Sequence, residues 1–358
     1  MNYNSFRRKT KAVSVGKIGI GGENPISIQS MTNTDTHDVA SCFKQIKSLE
    51  EAGCDIVRLA VPDIEAAESF RELKKLGISI PLVADIHFDY KIALAAIEAG
   101  ADKIRINPGN IGDKYKISEV VKAAKERRVP IRIGVNSGSL ERHILEKYGA
   151  PTAEALAESA IYHASLLSEL DFLDIVISAK ASDTLSMIRA NRILAEKTEY
   201  PLHLGVTEAG AGIRAVTKSS IGIGALVSQG IGDTVRVSLT DKPEEEIRAA
   251  KAILSAIGVS EDRGMDIVSC PTCGRTKIDL IKISREFEDK ATKEGLLEKP
   301  LKVALMGCVV NGPGEAREAD IGIAGGKGEG LLFKNGEIIR KIKEEELVDE
   351  LIREIKLM

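Results

Sequence analysis

Hydrophobic residues between positions 26 and 258 fall into short apolar runs, separated by longer stretches in which apolar residues recur at helical spacing. Eight of the runs have the length and β-branched content of strands, and they begin at Ile26, Cys54, Pro81, Asp102, Pro130, Asp174, Pro201 and Asp233. Many of the helical stretches end in glycine, which the C-termini of helices favour. Eight strand–helix units favour a closed parallel barrel over an open doubly wound sheet of about six strands. The pattern therefore predicts a (β/α)8 TIM barrel.

The segments on either side of the barrel have different patterns. Residues 12–25, AVSVGKIGIGGENP, resemble a hairpin and are expected to plug the barrel floor. Residues from about 268 onward predict a helix at 279–295, strands at 301–308 and 319–325, a hairpin around Asn335-Gly336 and a final helix. These elements indicate a small α+β domain. We place the barrel domain at 1–258 and the second domain at 259–358.

The composition limits the classes of function that are open to the chain. Its 358 residues with 43% hydrophobic content can bury two cores, because single cores stop growing near ~250–300 residues. A net charge of −3 argues against a general nucleic-acid binder. The sequence has neither the apolar core of a signal peptide nor an apolar run of about 18 residues, so we expect a cytoplasmic protein. Five cysteines are too few and odd in number for a disulfide scaffold.

Charged residues gather toward the carboxyl ends of the predicted strands, where barrel enzymes bind their substrates. Alternate residues of a strand face the same side. By this parity the candidates are Arg105 with Asn107, Arg132 with Asn136, Arg236 with Ser238 and Asp85 with His87, joined by Arg58, Lys180 and Glu208. Unpaired buried cations are costly, so four arginines and a lysine predict an anion with several charges. Arginine forks suit the oxygens of a diphosphate. The alternative is a set of internal ion pairs.

Three further residues could take part in chemistry at this end. Glu208 is the best candidate acid or base, since positive neighbours hold a carboxylate ionised until a proton is needed; a counter-ion to Arg236 or Lys180 is the equal alternative. His87 and Asn136 could orient a hydroxyl or a phosphate. His203, near the start of a strand, is expected to be structural.

Three of the cysteines lie in the second domain, Cys270 and Cys273 in SCPTCGRT and Cys308 in GCVVNGPGEARE. A thioredoxin-like pair would leave Cys308 without a role. Structural zinc needs four Cys or His ligands, yet every histidine lies at or before residue 203. An iron–sulfur cluster with three thiolates leaves one iron open to another ligand. Glu315, seven residues after Cys308 and beyond a Gly-Pro-Gly turn, is placed to return as that ligand.

The sequence resembles the bacterial 4-hydroxy-3-methylbut-2-enyl diphosphate synthases of the non-mevalonate isoprenoid pathway. The matching segments are SIQSMTNTDT, DIVRLAVP, ADIHFDY, IRINPGN, RIGVNSGS, GVTEAG, CPTCGRT and CVVNGPGEA, in that order and without the large inserted domain of the plant form. The resemblance implies an oxidoreductase that opens the ring of 2-C-methyl-D-erythritol 2,4-cyclodiphosphate with two electrons and loses a hydroxyl as water.

The resemblance also implies a set of site residues. A 4Fe-4S cluster would be held by Cys270, Cys273, Cys308 and Glu315. The diphosphate would be bound by Arg58, Arg105, Arg132, Lys180, Arg236 and Ser238, with His87, Asn136 and Glu208 near the reacting carbons. The chain has no nicotinamide fingerprint, so its electrons would come from a carrier protein, a flavodoxin or a ferredoxin.

The order of the two domains bears on assembly. The helix after Pro243 returns to the face opposite the carboxyl ends before the second domain begins. About ten linker residues reach at most ~35 Å, so closure within one chain is awkward. We expect a head-to-tail homodimer in which each cluster domain caps the barrel of the partner, with closure by folding of one chain as the rival.

Two other functions remain open on the residues alone. One is a zinc-stabilised module that binds a phosphorylated sugar without redox chemistry. The other is a pterin-type barrel transferase, which also holds a diphosphate at a barrel mouth but leaves the late cysteines without a purpose.

Overall fold

The computed structural model describes residues 3–259, 264–308 and 318–358. The chain divides into two compact units, Met1–Val259 and Ser260–Met358. No helix in the described ranges is both long enough and apolar enough to cross a bilayer.

The first unit is the predicted parallel barrel. A short hairpin comes first, β1 (Val13–Val15) and β2 (Ile18–Ile20). The barrel strands are β3 (Ser27–Met31), β4 (Ile56–Ala60), β5 (Leu82–Asp85), β6 (Lys103–Ile106), β7 (Ile131–Asn136), β8 (Ile175–Lys180), β9 (His203–Leu204) and β10 (Thr234–Val235). They are hydrogen-bonded in the order β8-β7-β6-β5-β4-β3-β10-β9, and a parallel bridge between Ile177 and Leu202 joins the two ends. The predicted (β/α)8 class is confirmed.

Helices surround this sheet. They are α1 (Val39–Glu51), α2 (Ile64–Lys75), α3 (Tyr90–Glu98), α4 (Pro108–Ile111), α5 (Lys114–Arg127), α6 (Arg142–Tyr148), α7 (Ala153–Ser168), α8 (Thr184–Lys197), α9 (Gly212–Val227) and α10 (Pro243–Ala256). Their buried faces and the outward faces of the strands form one apolar core. Aspartates cap the first turns of α1, α2, α3, α5 and α8. Such caps, worth about 1 kcal/mol each, fix where the loops at the carboxyl ends of the strands give way to helix.

The hairpin closes the amino end of the barrel, as expected from its sequence. β1 and β2 pair antiparallel. Val13, Val15 and Ile20 of the hairpin pack in one buried cluster with apolar residues near the starts of barrel strands, Ile56, Val83 and Val176. The last three share the inward parity of the charged residues further along the same strands. The barrel floor is therefore apolar and shielded from water.

The second unit is a mixed sheet covered by helices. Its strands are β11 (Asp266–Ser269), β12 (Lys302–Met306), β13 (Ile321–Gly325), β14 (Glu329–Lys334) and β15 (Glu337–Lys343), paired in that order. The helices α11 (Leu280–Lys293) and α12 (Leu347–Lys356) share a buried cluster with β12 and β13. Asn335 and Gly336 have φ of 51° and 80°, as the predicted two-residue hairpin requires. The edge strand β11 was not predicted from the sequence.

Candidate active site at the barrel mouth

Cationic side chains converge at the carboxyl ends of the barrel strands, as the parity of the strands predicts. Arg58, Arg105, Arg132 and Lys180 are all buried, with exposed fractions from 1% to 9%. Arg105 Nη1 lies 3.1 Å from Asp85 Oδ1, and Arg58 Nε lies 3.5 Å from Asp85 Oδ2. One carboxylate thus bridges two guanidinium groups.

Two inward-facing glycines give these cations room. A Cβ added at Gly134, on β7, would stand 2.8 Å from Arg105 Nη2 and closer still to its Nε. At Gly205, just after β9, an added Cβ would stand 2.9 Å from Lys180 Nζ and would also meet the carbonyl oxygen of Arg236. The long side chains of neighbouring strands therefore lie across the space that these glycines leave empty.

The balance of charge at the mouth favours an anionic ligand. Burial alone would raise the pKa of Asp85, but Arg58, Arg105 and Arg132 outweigh it and lower the pKa to about 2. Burial lowers the pKa of Arg58 to about 10 and that of Lys180 well below its usual value. Lys180 and Arg132 make no ion pair with any residue in the described ranges. These cations lack the counter-charge that an anionic ligand would bring.

A thioether receives donors that a carboxylate would normally take. Arg58 Nη2 and Nε lie 3.0 Å and 3.2 Å from Met31 Sδ, and Arg236 Nη1 lies 3.8 Å from the same sulfur. Thioether sulfur is a weak acceptor. Arg58 and Arg236 therefore lie side by side and direct part of their hydrogen-bonding capacity to a neutral sulfur, in addition to the ion pair that each makes with a carboxylate.

Sequence reasoning missed the second buried carboxylate, Glu246. It lies in the first turn of α10, is 4% exposed, and accepts hydrogen bonds from Ser30 Oγ at 2.8 Å and from Arg236 Nε and Nη2 at 3.1 Å each. Glu246, rather than Glu208, is the counter-ion of Arg236. In the sequence it is the third glutamate of an ordinary acidic first turn, and only its three-dimensional contacts distinguish it.

The remaining predicted residues at the mouth differ in their exposure to solvent and in their hydrogen-bond partners. His87 is exposed, and its Nε2 lies 3.1 Å from Arg105 Nη1; partial removal from water, with Arg105 and Arg58, lowers its pKa despite Asp85. Asn107 is buried and caps α4, accepting from the Gly109 N–H at 3.1 Å. Asn136 and Ser238 are half-buried at the ends of their strands. Asn107 is thus already engaged by the backbone, while the other three face the mouth.

Glu208 occupies an unusual backbone position. It is exposed and has a φ of 52°, a left-handed conformation that non-glycine residues seldom adopt. Its loop, between β9 and α9, is anchored by hydrogen bonds from Thr207 N to Ala181 O and from Thr240 N to Gly210 O. The carboxylate makes no hydrogen bond or ion pair within the described part of the chain, so it is available to a ligand.

The late thiols lie at one edge of the second sheet. Cys270 and Cys308 follow the carboxyl ends of the adjacent parallel strands β11 and β12, and the Gly307 N–H donates to Cys270 Sγ at 3.2 Å. Cys273 is exposed, and hydrogen bonds from Arg275 lower its pKa, which favours its thiolate. Among the described residues no three potential ligands are grouped closely enough to hold a metal ion. The predicted fourth ligand, Glu315, lies outside the described residues.

Comparison with known proteins covers both units. The family models described as GcpE TIM-barrel domain and GcpE protein C-terminal domain match residues 10–251 and 266–357. The 4-hydroxy-3-methylbut-2-en-1-yl diphosphate synthase (flavodoxin) of Clostridium perfringens is 61% identical over 350 residues, covering 98% of this chain and 99% of the relative. The protein of the same name from Geobacillus kaustophilus is 59% identical, covering 98% and 92%. Dihydropteroate synthase from Thermus thermophilus has a TM-score of 0.49 at 15% identity, over 70% of this chain and 97% of that one.

Proposed function

The chain belongs to the GcpE family of 4-hydroxy-3-methylbut-2-en-1-yl diphosphate synthases, and we propose that its barrel binds the cyclic diphosphate while its C-terminal thiols hold the redox group. It is a flavodoxin-dependent oxidoreductase that converts 2-C-methyl-D-erythritol 2,4-cyclodiphosphate to 4-hydroxy-3-methylbut-2-enyl diphosphate in isoprenoid biosynthesis. The reaction takes two electrons, breaks the C–O bond to one phosphate and releases water.

The mouth cations bind the diphosphate. Arg58, Arg105, Arg132, Lys180 and Arg236 outnumber the buried carboxylates Asp85 and Glu246, and this excess of positive charge is the observation that carries the proposal. Ring opening leaves a negative charge on the released phosphate oxygen. Guanidinium groups fixed in a buried site stabilise that charge without reorganisation, so they lower the barrier as well as binding the substrate.

Side chains around the mouth orient and protonate the organic half of the substrate. His87 and Asn136 face the mouth and would position its hydroxyl or phosphate oxygens. Glu208 has a left-handed backbone in the loop after β9, and its carboxylate has no partner among the described residues. It would deliver the proton that the departing hydroxyl needs. Ser238 and Asn107 would complete the binding site as hydrogen-bond donors.

The donor set of the second unit fits a 4Fe-4S cluster. Cys270, Cys273 and Cys308 supply thiolates, the ligands that iron–sulfur clusters require, and the Gly307 N–H donates to one of these sulfurs. Glu315 would be the fourth ligand. When bound, the cluster supplies one-electron reduction and an iron that acts as a Lewis acid. Electrons would reach it from flavodoxin, with a ferredoxin as the alternative carrier.

Exposed apolar residues at the mouth support a partner that covers it. Ile64, Phe88, Tyr115, Leu185 and Ile213 are between 52% and 86% exposed. Phe88 lies in the loop after β5, and the other four lie in the first turns of α2, α5, α8 and α9, which begin on the carboxyl face. Large exposed apolar side chains on one face mark an interaction surface. We propose that the cluster domain of a second copy docks there in a head-to-tail homodimer.

Mixing two inactive variants tests both the acid and the assembly. Glu208→Gln is expected to bind the substrate normally and to lose at least about 100-fold in kcat, because general acid–base groups contribute about that much or more. Cys308→Ala is expected to lose all reductase activity. If each site combines two chains, a mixture of the two variants regains part of the wild-type activity.

The outcome separates the possible arrangements. No recovery of activity, in mixtures that form heterodimers, would contradict the shared site. A Glu208→Gln enzyme with normal kcat would contradict the assignment of the proton donor. His143→Gln, at an exposed helix position, serves as the matched control and should leave both kcat and KM unchanged.

A further inference from the structure

A second polar layer lies inside the barrel, below the mouth cations. Lys103 precedes Arg105 by two residues on β6, Gln29 precedes Met31 by two on β3, and His203 is paired with Thr234 on β10. Two residues along a strand correspond to roughly 6–7 Å. This inner polar layer, Gln29, Lys103, His203 and Thr234, therefore lies between the cationic mouth and the apolar floor made by the hairpin.

The side chains of this layer are fully buried, and most of their polar atoms lack hydrogen-bond partners among the described residues. Each is at most 1% exposed. Lys103 Nζ has a single hydrogen bond within the described residues, a long one of 3.5 Å to Gln29 Oε1, and it crosses the barrel from β6 to β3 to make it. Within the described ranges, Gln29 Nε2, both ring nitrogens of His203 and the hydroxyl of Thr234 have no hydrogen-bond partner. Buried polar groups of this kind are ordinarily hydrogen-bonded.

The unused groups are mostly donors. The amide NH2 of Gln29, one N–H of a neutral His203 ring, the hydroxyl of Thr234 and the amino group of Lys103 face the interior, and Nε and Nη2 of Arg132 add two more donors. The carboxylates at the mouth are already occupied, Asp85 by Arg58 and Arg105 and Glu246 by Arg236. An anion rich in acceptor oxygens matches this set, whereas an apolar group does not.

We infer that Lys103, Gln29 and His203 form a deep subsite that receives a phosphoryl group of the substrate beneath the mouth arginines. This inference rests on the proposed function and extends it to three residues outside the mouth. Arg132, whose Nη1 donates to Ser178 Oγ at 2.6 Å, belongs to both levels and joins them. His203, expected to be structural, would then be a binding residue.

The subsite has a consequence for protonation. Burial, together with Arg132 and Arg58, lowers the pKa of Lys103 well below its usual value in the free protein. A dianionic phosphoryl group within reach favours the ammonium form and raises that pKa again. Substrate binding is therefore expected to favour proton uptake by Lys103. A lysine that only fills space would not couple substrate binding to proton uptake.

Lys103→Met tests this, with Lys122→Met, an exposed lysine of α5, as the matched control. Binding of 2-C-methyl-D-erythritol 2,4-cyclodiphosphate to the complete holoenzyme is measured by calorimetry without an electron donor, in two buffers of different ionisation enthalpy. Lys103→Met is expected to bind about 10- to 100-fold more weakly and to take up fewer protons than the wild type. It is also expected to melt at a higher temperature, because an uncompensated buried amine has been removed.

A second variant and a competition experiment distinguish the loss of a local contact from a general loss of positive charge. Gln29→Leu keeps the net charge and is expected to weaken binding by about 3- to 10-fold. Orthophosphate is expected to compete with the substrate in the wild type and to compete less well in Lys103→Met. Orthophosphate that binds alongside the substrate without competition would overturn the assignment to the substrate's own phosphoryl group.

Equal affinity and equal proton uptake in Lys103→Met and the wild type would overturn the subsite. A lower melting temperature with unchanged affinity would likewise assign Lys103 a purely structural role. A wild-type enzyme that fails to bind the cyclodiphosphate would instead contradict the proposed function, so the two failures are distinguishable.

Discussion

A single glycine, Gly134, determines where the side chain of Arg105 lies at the barrel mouth. Gly134 leaves the space across which the Arg105 side chain lies, and a methyl group there would collide with its guanidinium. We expect Gly134→Ala to push Arg105 away from Asp85 and to raise KM about 10-fold or more, the effect of losing one charge-assisted hydrogen bond. Gly224→Ala, where an added Cβ meets nothing within 4 Å, is the control. Steady-state kinetics on both variants checks the expectation, and an unchanged KM in Gly134→Ala would contradict it.

Glu246 is expected to contribute more to the free energy of unfolding than its position in an acidic first turn suggests. Its carboxylate is 4% exposed and faces Arg236, so removing its charge leaves a largely buried cation without a partner. We expect Glu246→Gln to lower the free energy of unfolding by about 3 kcal/mol. The neighbouring Glu245 pairs with Arg248 at the surface, and Glu245→Gln should cost under about 1 kcal/mol. Denaturant titrations measure both, and equal losses would show that the buried pair has no special weight.

Some residues of the candidate site could be predicted from the sequence, and others could not. Strand parity predicted Arg105, Arg132 and Arg236, because the side-chain direction in a strand repeats every two residues. Arg58 and Lys180 were predicted from their positions near the ends of strands. Glu246 gives no such signal, since a helix presents an acidic first turn to solvent as readily as to a buried arginine. The role of Asn107 as a cap of α4 depends likewise on where the chain turns after β6.

At the scale of elements, the packing of the β1–β2 hairpin against the barrel can be tested through the free energy of unfolding. Val15 is fully buried in the cluster with Ile56, Val83 and Val176. We expect Val15→Ala to cost about 2 kcal/mol of unfolding free energy, from lost burial and the cavity left behind, with KM unchanged because the mouth is at the other end. Ser14→Ala, at an exposed position, should be neutral. A change in KM without a loss of stability would contradict the role of a floor.

Strands and turns could be predicted where their own residues carry a recognisable pattern. An element that forms only by pairing with a distant segment was missed. The eight barrel strands and the Asn335-Gly336 turn carry their own signals in the sequence. β9 and β10 pair over only two residues each, which is shorter than their apolar runs. The four residues of β11 are ordered by pairing with β12, some 36 positions further along, and a short edge strand of that kind leaves little trace in the sequence.

At the scale of the whole molecule, the chain forms two compact units, and the proposed function assigns a different part of the reaction to each. The barrel supplies an apolar floor, a polar interior and a cationic mouth, and the second unit supplies three thiols, two of which follow the ends of adjacent strands. In the proposal, the anion is bound by the first unit and the electrons come from the second, so both units are needed for the reaction. Reduction therefore requires that the thiols hold a redox-active cluster, since a barrel that only bound a diphosphate could not reduce it.

Analysis of iron, zinc and acid-labile sulfide in anaerobically purified protein tests this most directly. We expect a brown protein with about four irons and four sulfides per chain, and expect Cys270→Ala to lose them while still binding the cyclodiphosphate at the barrel. Cys54→Ala, which removes a buried thiol whose pKa burial raises to about 12, should keep the full cluster. A colourless wild-type protein with one zinc and no labile sulfide would contradict the account.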